Sequence, residues 1–371
     1  MFYFLVSVVA ASVSLVIYRR RVSTIDKNQR LSAGTHVVIS GGSKGIGKAL
    51  AKKYASLGAH VTIIARNEAD LQAAKLEIEK SRKNKDVQKI RTVSLDLTKI
   101  TFPDTLYSDI NQTQKELIDN ILGEHERCDI LINGCGSSIP ARFGDLSQRQ
   151  FEYMIQVNYM SAVNLTRLLL PVMQARSMAC RSASRSYNGR IVFVSSMCGL
   201  MSFYGYSAYA ASKFALVGLA ESLNMELKPF DIGVTIAFPA DTDTPGFEEE
   251  NKIKPTLTAE ISKTGNVYSP DDVAQSIVSD IRAKRFTSVM GLENHLVLMA
   301  SNAFMPAHSL PGLIFECFLA GPLKIIAHFI LMSWYKMVQN SSQSEVVRNE
   351  LAMNNSKDAR FYQKFCSNRA S

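Results

Sequence analysis

Ser40-Gly41-Gly42-Ser43-Lys44-Gly45-Ile46-Gly47 joins a β-branched run, His36–Ser40, to a stretch of helical periodicity that opens at Gly47. Glycines at such a turn let the backbone fold tightly and come close to a pyrophosphate. The free N–H groups and dipole of the following helix then stabilise the anion. A glycine motif alone is weak. Placed between a first strand and a first helix, the loop through Ile46 and Gly47 predicts a dinucleotide cradle.

Outward from this loop the same alternation repeats. Short apolar runs lie at His60–Ala65, Ile90–Leu95, Ile130–Ile132, Arg190–Ser196 and Val234–Phe238. Helical periodicity separates them at Glu68–Arg82, Leu106–Glu124, Phe151–Met178 and Ser207–Lys228. Strand–helix alternation predicts an α/β fold, a doubly wound parallel sheet of Rossmann type covered on both faces. Ligands of such sheets lie outside the carboxyl ends of the strands.

Those ends carry chemistry. The second strand runs into Ala65-Arg66-Asn67, where a site for the unphosphorylated cofactor usually has an acidic residue. Arg66, with Lys44 in the glycine loop, suits a 2′-phosphate instead, so NADPH is the expected cofactor. Asp96 follows the third strand, placed to accept from an adenine amine. Asn133-Gly134-Cys135-Gly136 follows the fourth; its small residues let the backbone pass close to an adenosine. Asn133 is a candidate contact there, although a strand-linking role suits its side chain better.

Ser196 closes the fifth run, and Tyr209-Ala210-Ala211-Ser212-Lys213 follows. A spacing of four puts Tyr209 and Lys213 on one face of a helix. Hydride arriving at a carbonyl carbon leaves negative charge on oxygen, and Tyr209 is the candidate proton donor. A free phenol has a pKa of about 10, and the Lys213 ammonium is expected to lower it. The Ser196 hydroxyl is placed to hold the carbonyl oxygen. Asn158, in Val157-Asn158-Tyr159, is a candidate to hold a water that relays protons to Lys213; an ordinary backbone-bonded helix residue is the competing reading. Tyr204 and Tyr206, which lack a lysine four residues on, are expected at the substrate mouth.

The ends of the chain are apolar or polar in blocks. Phe2–Tyr18 has no charge and is followed by Arg19-Arg20-Arg21, which reads as an uncleaved anchor with the rest of the chain on the cytosolic side. An interfacial helix is the alternative. A second apolar region, Leu296–Tyr335, is interrupted by Pro311, Gly321, Pro322, Lys324 and His328. These breaks favour a re-entrant or interfacial hairpin over a spanning helix. The expected division is a transmembrane anchor at 1–21, a catalytic domain at 34–291, an apolar membrane-associated segment at 292–338 and a loosely ordered polar tail at 339–371. The formal net charge of +9 comes without an aromatic-interleaved basic motif, so the membrane is the expected partner and nucleic acid is not. Six scattered cysteines and six scattered histidines give no disulfide framework and no metal-ligand spacing.

Ser40-Gly41-x-x-x-Gly45-x-Gly47, Asn133-x-x-Gly136, Asn158, Ser196, Tyr209-x-x-x-Lys213 and Pro239 together resemble the short-chain dehydrogenase/reductase family over roughly residues 35–290. Ser40 stands where that family usually has threonine, and Gly134-Cys135 where it usually has Asn-Ala. Within the family, Phe238–Asn251, Arg190–Ser196 and Leu227-Lys228-Pro229 resemble the 3-ketodihydrosphingosine reductases. That resemblance implies NADPH-dependent reduction of 3-ketosphinganine to sphinganine, at the endoplasmic reticulum membrane with the catalytic domain facing the cytosol. It also implies cofactor contacts from Gly41, Ser43, Lys44, Gly45, Arg66 and Asp96. Asp70 departs from it, since relatives can carry a lysine there. The expected partner is a long-chain keto-amine lipid, with Asp241–Thr264 as a lid and Glu248, Glu249 and Glu250 as candidates to steer the amine. Self-association into a homo-oligomer is left open. Rival readings are a membrane retinoid or steroid dehydrogenase and a catalytically silent nucleotide-binding scaffold. The stretch Ala179–Asn188 reads as a surface loop.

Overall fold

The computed structural model describes residues 34–354 apart from 103–110, 186, 188, 264, 302–304 and 307–308, with 341–354 described by backbone alone. The expected N-terminal anchor lies outside the described residues. In chain order the elements are β1 (His36–Ser40), α1 (Gly45–Ser56), β2 (His60–Ala65), α2 (Glu68–Lys80), β3 (Ile90–Ser94), α3 (Gln112–Leu122), β4 (Ile130–Asn133), α4 (Gln148–Ile155), α5 (Ser161–Ser182), β5 (Gly189–Val194), α6 (Ser207–Glu226), β6 (Ile232–Ala237), α7 (Pro245–Ile253), α8 (Thr256–Ser262), α9 (Pro270–Arg282), β7 (Thr287–Ser288), α10 (Leu292–Ser301) and α11 (Leu310–Asn354).

The strands are almost wholly buried, which is why they read as continuous apolar runs rather than alternating ones. They form one parallel sheet in the order β3-β2-β1-β4-β5-β6-β7. One apolar layer packs Leu50, Tyr54, Ile63 and Ile78 with the inner side of α9. The other packs Leu131, Leu165, Leu169, Phe193 and Phe238. The chain reverses direction across the sheet between β1 and β4, and this crevice is where the glycine loop opens.

At the opposite end of the sheet three histidines stack. The His36 and His60 rings lie 4.6 and 4.1 Å from the ring of His125. His36 is fully buried. Its Nδ1 donates to the Arg127 carbonyl at 2.6 Å, and its Nε2 lies 2.8 Å from Thr62 Oγ1. Burial pushes its pKa down to about 3, and burial likewise lowers those of His60 and His125. Above the ordinary histidine pKa both folded and unfolded chains hold the ring neutral. As pH falls through that value only the unfolded chain gains the proton, so folding weakens. His36 alone is expected to cost about 2 kcal/mol of stability at pH 5 relative to pH 8. Urea melts at the two pH values, with His36→Gln as control, measure it.

Three sequence expectations change. In the apolar C-terminal region Leu296–Ser301 belongs to α10, and the denser part from Leu310 is one helix, α11, that runs through Pro322 to Asn354 with no reversal there. Proline removes one intrahelical bond, and the Leu, Ile and Phe residues on either side keep the rest. No break falls at residue 339. Leu310–Asn340 is long and apolar enough to cross a membrane and is unburied. The stretch 179–188 is not simply a surface loop: α5 continues through Ser182, and Tyr187 is buried with its hydroxyl donating to the Cys128 carbonyl at 3.1 Å. The helix expected over Phe151–Met178 is two helices joined by a π-turn, Gln156–Met160, an irregularity that recurs beside functional sites.

Candidate active site

A cavity of about 700 Å³ opens at the carboxyl ends of the strands. One half is the glycine loop, lined by Gly41, Ser43, Lys44, Gly45, Ile46 and Gly47. Gly41 has φ +69°, and a Cβ there would meet the Gly134 carbonyl at 2.6 Å. A Cβ on Gly47 would lie 2.1 Å from the Gly41 carbonyl. The two backbone segments therefore touch, and only glycine leaves the cradle open. Ser40 ties them: its Oγ accepts from the N–H groups of Gly134 and Cys135 at 3.1 and 3.3 Å. A hydroxyl is all this bridge needs, so serine serves.

Arg66 and Asp96 line the same half. Asp96 accepts from the Thr98 N–H and hydroxyl at 3.1 and 2.7 Å. Its pKa is lowered, those two bonds outweighing a burial penalty. Arg66 makes no ion pair among the described residues, while Lys44 is held by Asp70 at 2.7 Å. Of the two expected cations, Arg66 is the free one. The cradle, the uncommitted guanidinium and a charged carboxylate fit an adenine dinucleotide.

Asn133 corrects the expected set. Its side chain is buried and donates to Thr166 Oγ1 at 3.0 Å, anchoring β4 to α5, and it does not line the cavity. Asn158 also stays outside it. It is fully buried in the π-turn, accepts from the Ser137 N–H at 2.8 Å and donates to Ser137 O and Ser212 Oγ at 3.0 and 2.9 Å. Gly136 lies between it and Lys213, and the Asn158 side chain braces the loop after β4 against α6.

The other half brings Ser196, Tyr209 and Lys213 together. Tyr209 and Lys213 project from one face of α6. Lys213 Nζ lies 5.7 Å from the centre of the Tyr209 ring and donates to the Val194 carbonyl at 3.0 Å. Ser195 is turned away, donating to the Lys213 carbonyl at 3.0 Å. Ser196 lies past the end of β5, lines the cavity with Tyr209 and accepts from the Cys198 N–H at 3.1 Å. The expected lowering of the phenol does not hold in this pocket. Burial raises Tyr209 above its ordinary value and pushes Lys213 down to about 8. The phenol is therefore a neutral O–H that keeps its proton until a stronger base, an alkoxide, forms beside it. Near neutral pH Lys213 is still mostly protonated.

The lid closes the cavity with Asp241, Thr242, Thr244, Phe247, Glu249, Glu250 and Ile253. Thr244 caps α7 by accepting from the Phe247 N–H at 3.1 Å, and its methyl meets the glycine loop at Gly45. Tyr206 is buried, 5.7 Å ring to ring from Tyr209, and bonded to Glu250. Phe203, beside it, packs against half-buried Trp334 of α11 at 5.8 Å. The lid stretch, Glu249, Glu250 and Tyr206 were expected here from the sequence; Thr242, Thr244, Phe247 and Ile253 were not singled out, because the polar stretch after β6 has no periodicity strong enough to aim its side chains.

Residues 35–254 match the short chain dehydrogenase family. The chain is a short-chain dehydrogenase. This short-chain dehydrogenase is 39% identical over 306 residues to the 3-dehydrosphinganine reductase of Danio rerio, covering 82% of the chain and 86% of the relative. It is 38% identical over 306 residues to the 3-ketodihydrosphingosine reductase of Bos taurus, with the same 82% and 86% coverage. With 3-dehydrosphinganine reductase TSC10A of Arabidopsis thaliana it shares 32% over 310 residues, 84% of the chain and 87% of the relative. Its fold resembles a 3-ketoacyl-(acyl-carrier-protein) reductase from Brucella melitensis complexed with NADH, at TM-score 0.55 and 22% identity, over 69% of the chain and 95% of that structure. A short-chain dehydrogenase from Sphingobium yanoikuyae in complex with NADPH matches at TM-score 0.54 and 22% identity, over 69% and 87%.

Proposed function

We propose that this short-chain dehydrogenase reduces 3-ketosphinganine to sphinganine with NADPH, at a membrane. The observation that carries the reading is the meeting of Ser196, Tyr209 and Lys213 in one cavity with the glycine cradle. The names and coverage of the curated relatives support the substrate. A bound nicotinamide cofactor supplies the hydride. Ser196 holds the carbonyl oxygen, Tyr209 passes it a proton, and Lys213 fixes the neighbourhood's charge. Gly41, Ser43, Lys44, Gly45, Ile46, Gly47, Arg66 and Asp96 hold the dinucleotide.

The exposed apolar length of α11 supports attachment to a bilayer, where a long-chain keto-amine resides. Within this reading, residues 1–21 anchor the chain, 34–291 are catalytic, 292–338 lie in or on the membrane, and the catalytic part faces the cytosol at the endoplasmic reticulum. Following NADPH oxidation with 3-ketosphinganine, retinal and a ketosteroid side by side tests the substrate. Faster turnover of either rival ketone, or none of 3-ketosphinganine, rejects it.

The uncommitted Arg66 favours the 2′-phosphate. Arg66→Ala is expected to raise the KM for NADPH about tenfold, the loss of one charge-assisted contact, while moving the KM for NADH little. Paired initial-rate curves with the two cofactors measure this.

A further inference from the structure

The cavity carries a charge that cofactor binding and proton transfer do not use. Asp241 follows β6, Glu250 lies on α7, and Lys254 follows α7. Lys254 Nζ is 3.1 Å from Glu250 Oε1, and the two side chains are 2% and 13% exposed. The Tyr206 hydroxyl donates to that same oxygen. Glu250 Oε2 has no hydrogen bond among the described residues. Neither does the Asp241 carboxylate, which lines the cavity beside it. Lys252, on the same helix, is paired with Glu249 in an exposed contact. Two carboxylates thus share one lid ammonium. Burial raises the pKa of Asp241, Lys254 opposes the rise, and Glu250 adds to it. A buried charge without a partner is costly, and a cationic ligand would remove the cost.

The location fixes which cation. Tyr206, which holds Glu250, lies 5.7 Å ring to ring from Tyr209. Asp241 and Glu250 share the cavity with Tyr209, so a ketone whose oxygen meets the Tyr209 hydroxyl and whose adjacent carbon bears an amine has these carboxylates in the same pocket as that amine. We propose that Glu250 is the specificity-determining residue of this enzyme, binding the ammonium group next to the reacting carbonyl, with Asp241 supplying the balancing charge. The inference rests on the reductase reading above. It also separates the three adjacent glutamates: Glu248 does not line the cavity, Glu249 lines it but is paired with Lys252, and Glu250 is bonded to Tyr206 beside Tyr209.

The test compares kcat/KM for 3-ketosphinganine with that for the same ketone lacking the amine, using the full chain in liposomes. Their ratio cancels losses of folded enzyme. The wild type is expected to prefer the amine. Glu250→Gln is expected to shrink that preference about tenfold or more, since it removes a charge-assisted contact. Lys254→Met is expected to enlarge it, because the competing cation is gone. A wild type without preference, a Glu250→Gln ratio equal to the wild type's, or a Lys254→Met ratio below it overturns the subsite while ketone reduction stands. If neither ketone is reduced, the reductase reading falls and the subsite with it.

Discussion

Tyr209→Phe is expected to lower kcat by about 10²–10⁴-fold, the usual worth of a positioned general acid, while the dissociation constant for NADPH changes less than about threefold. The ring stays, so its packing against Tyr206 is kept; only the hydroxyl is lost. The high pKa of the buried phenol sharpens the expectation. A phenol that ionised easily would reach the substrate already deprotonated and have no proton to give in the reductive direction. Here burial keeps it an acid until negative charge develops on the substrate oxygen. Stopped-flow absorbance of NADPH reads the chemical step, and quenching of cofactor fluorescence reads binding. Wild-type turnover in this variant would remove Tyr209 from the chemistry.

Gly47→Ala is expected to be as severe by a different route. Its new methyl would sit 2.1 Å from the Gly41 carbonyl, so the first turn of α1 and the glycine loop must separate. Overpacking between two backbone segments with no side chain to give way costs about 3 kcal/mol or more. The separated loop can no longer turn its N–H groups onto a pyrophosphate. The variant should lose NADPH retention and several degrees of Tm together. Gly246→Ala is the matched control, because the nearest atom its methyl would meet is the Thr244 hydroxyl at 3.9 Å. Thermal melts with and without NADPH separate the two.

What could be read from the sequence was what spacing encodes. Tyr209 and Lys213 share a helix face because four residues make about one turn, and the glycine loop announced itself by lying between a strand and a helix. Strand limits at His36–Ser40 and His60–Ala65 agree with the structure because both runs are buried on both faces. Side-chain direction was less legible. Asn133 and Asn158 stand at the right places in the chain, yet one ties β4 to α5 and the other sits in a π-turn that no periodicity announces. The sign of the Tyr209 shift was also hidden, since it depends on how much solvent the folded lid excludes. The breaks at Gly321 and Pro322 suggested a reversal; a single missing hydrogen bond is too little to turn a helix that is apolar on both sides of it.

The contact between Phe203 and Trp334 gives the molecule a natural optical gauge. Trp334 is the only tryptophan in the chain, so indole emission arises from one spot, where the long apolar helix meets the lip of the cavity. Transfer of that helix into lipid changes the polarity around the indole, and displacement of the lip by an incoming chain changes the ring beside it. Emission of the unlabelled protein therefore tests for either event in one band, and Phe203→Leu, which alters the second, tells them apart.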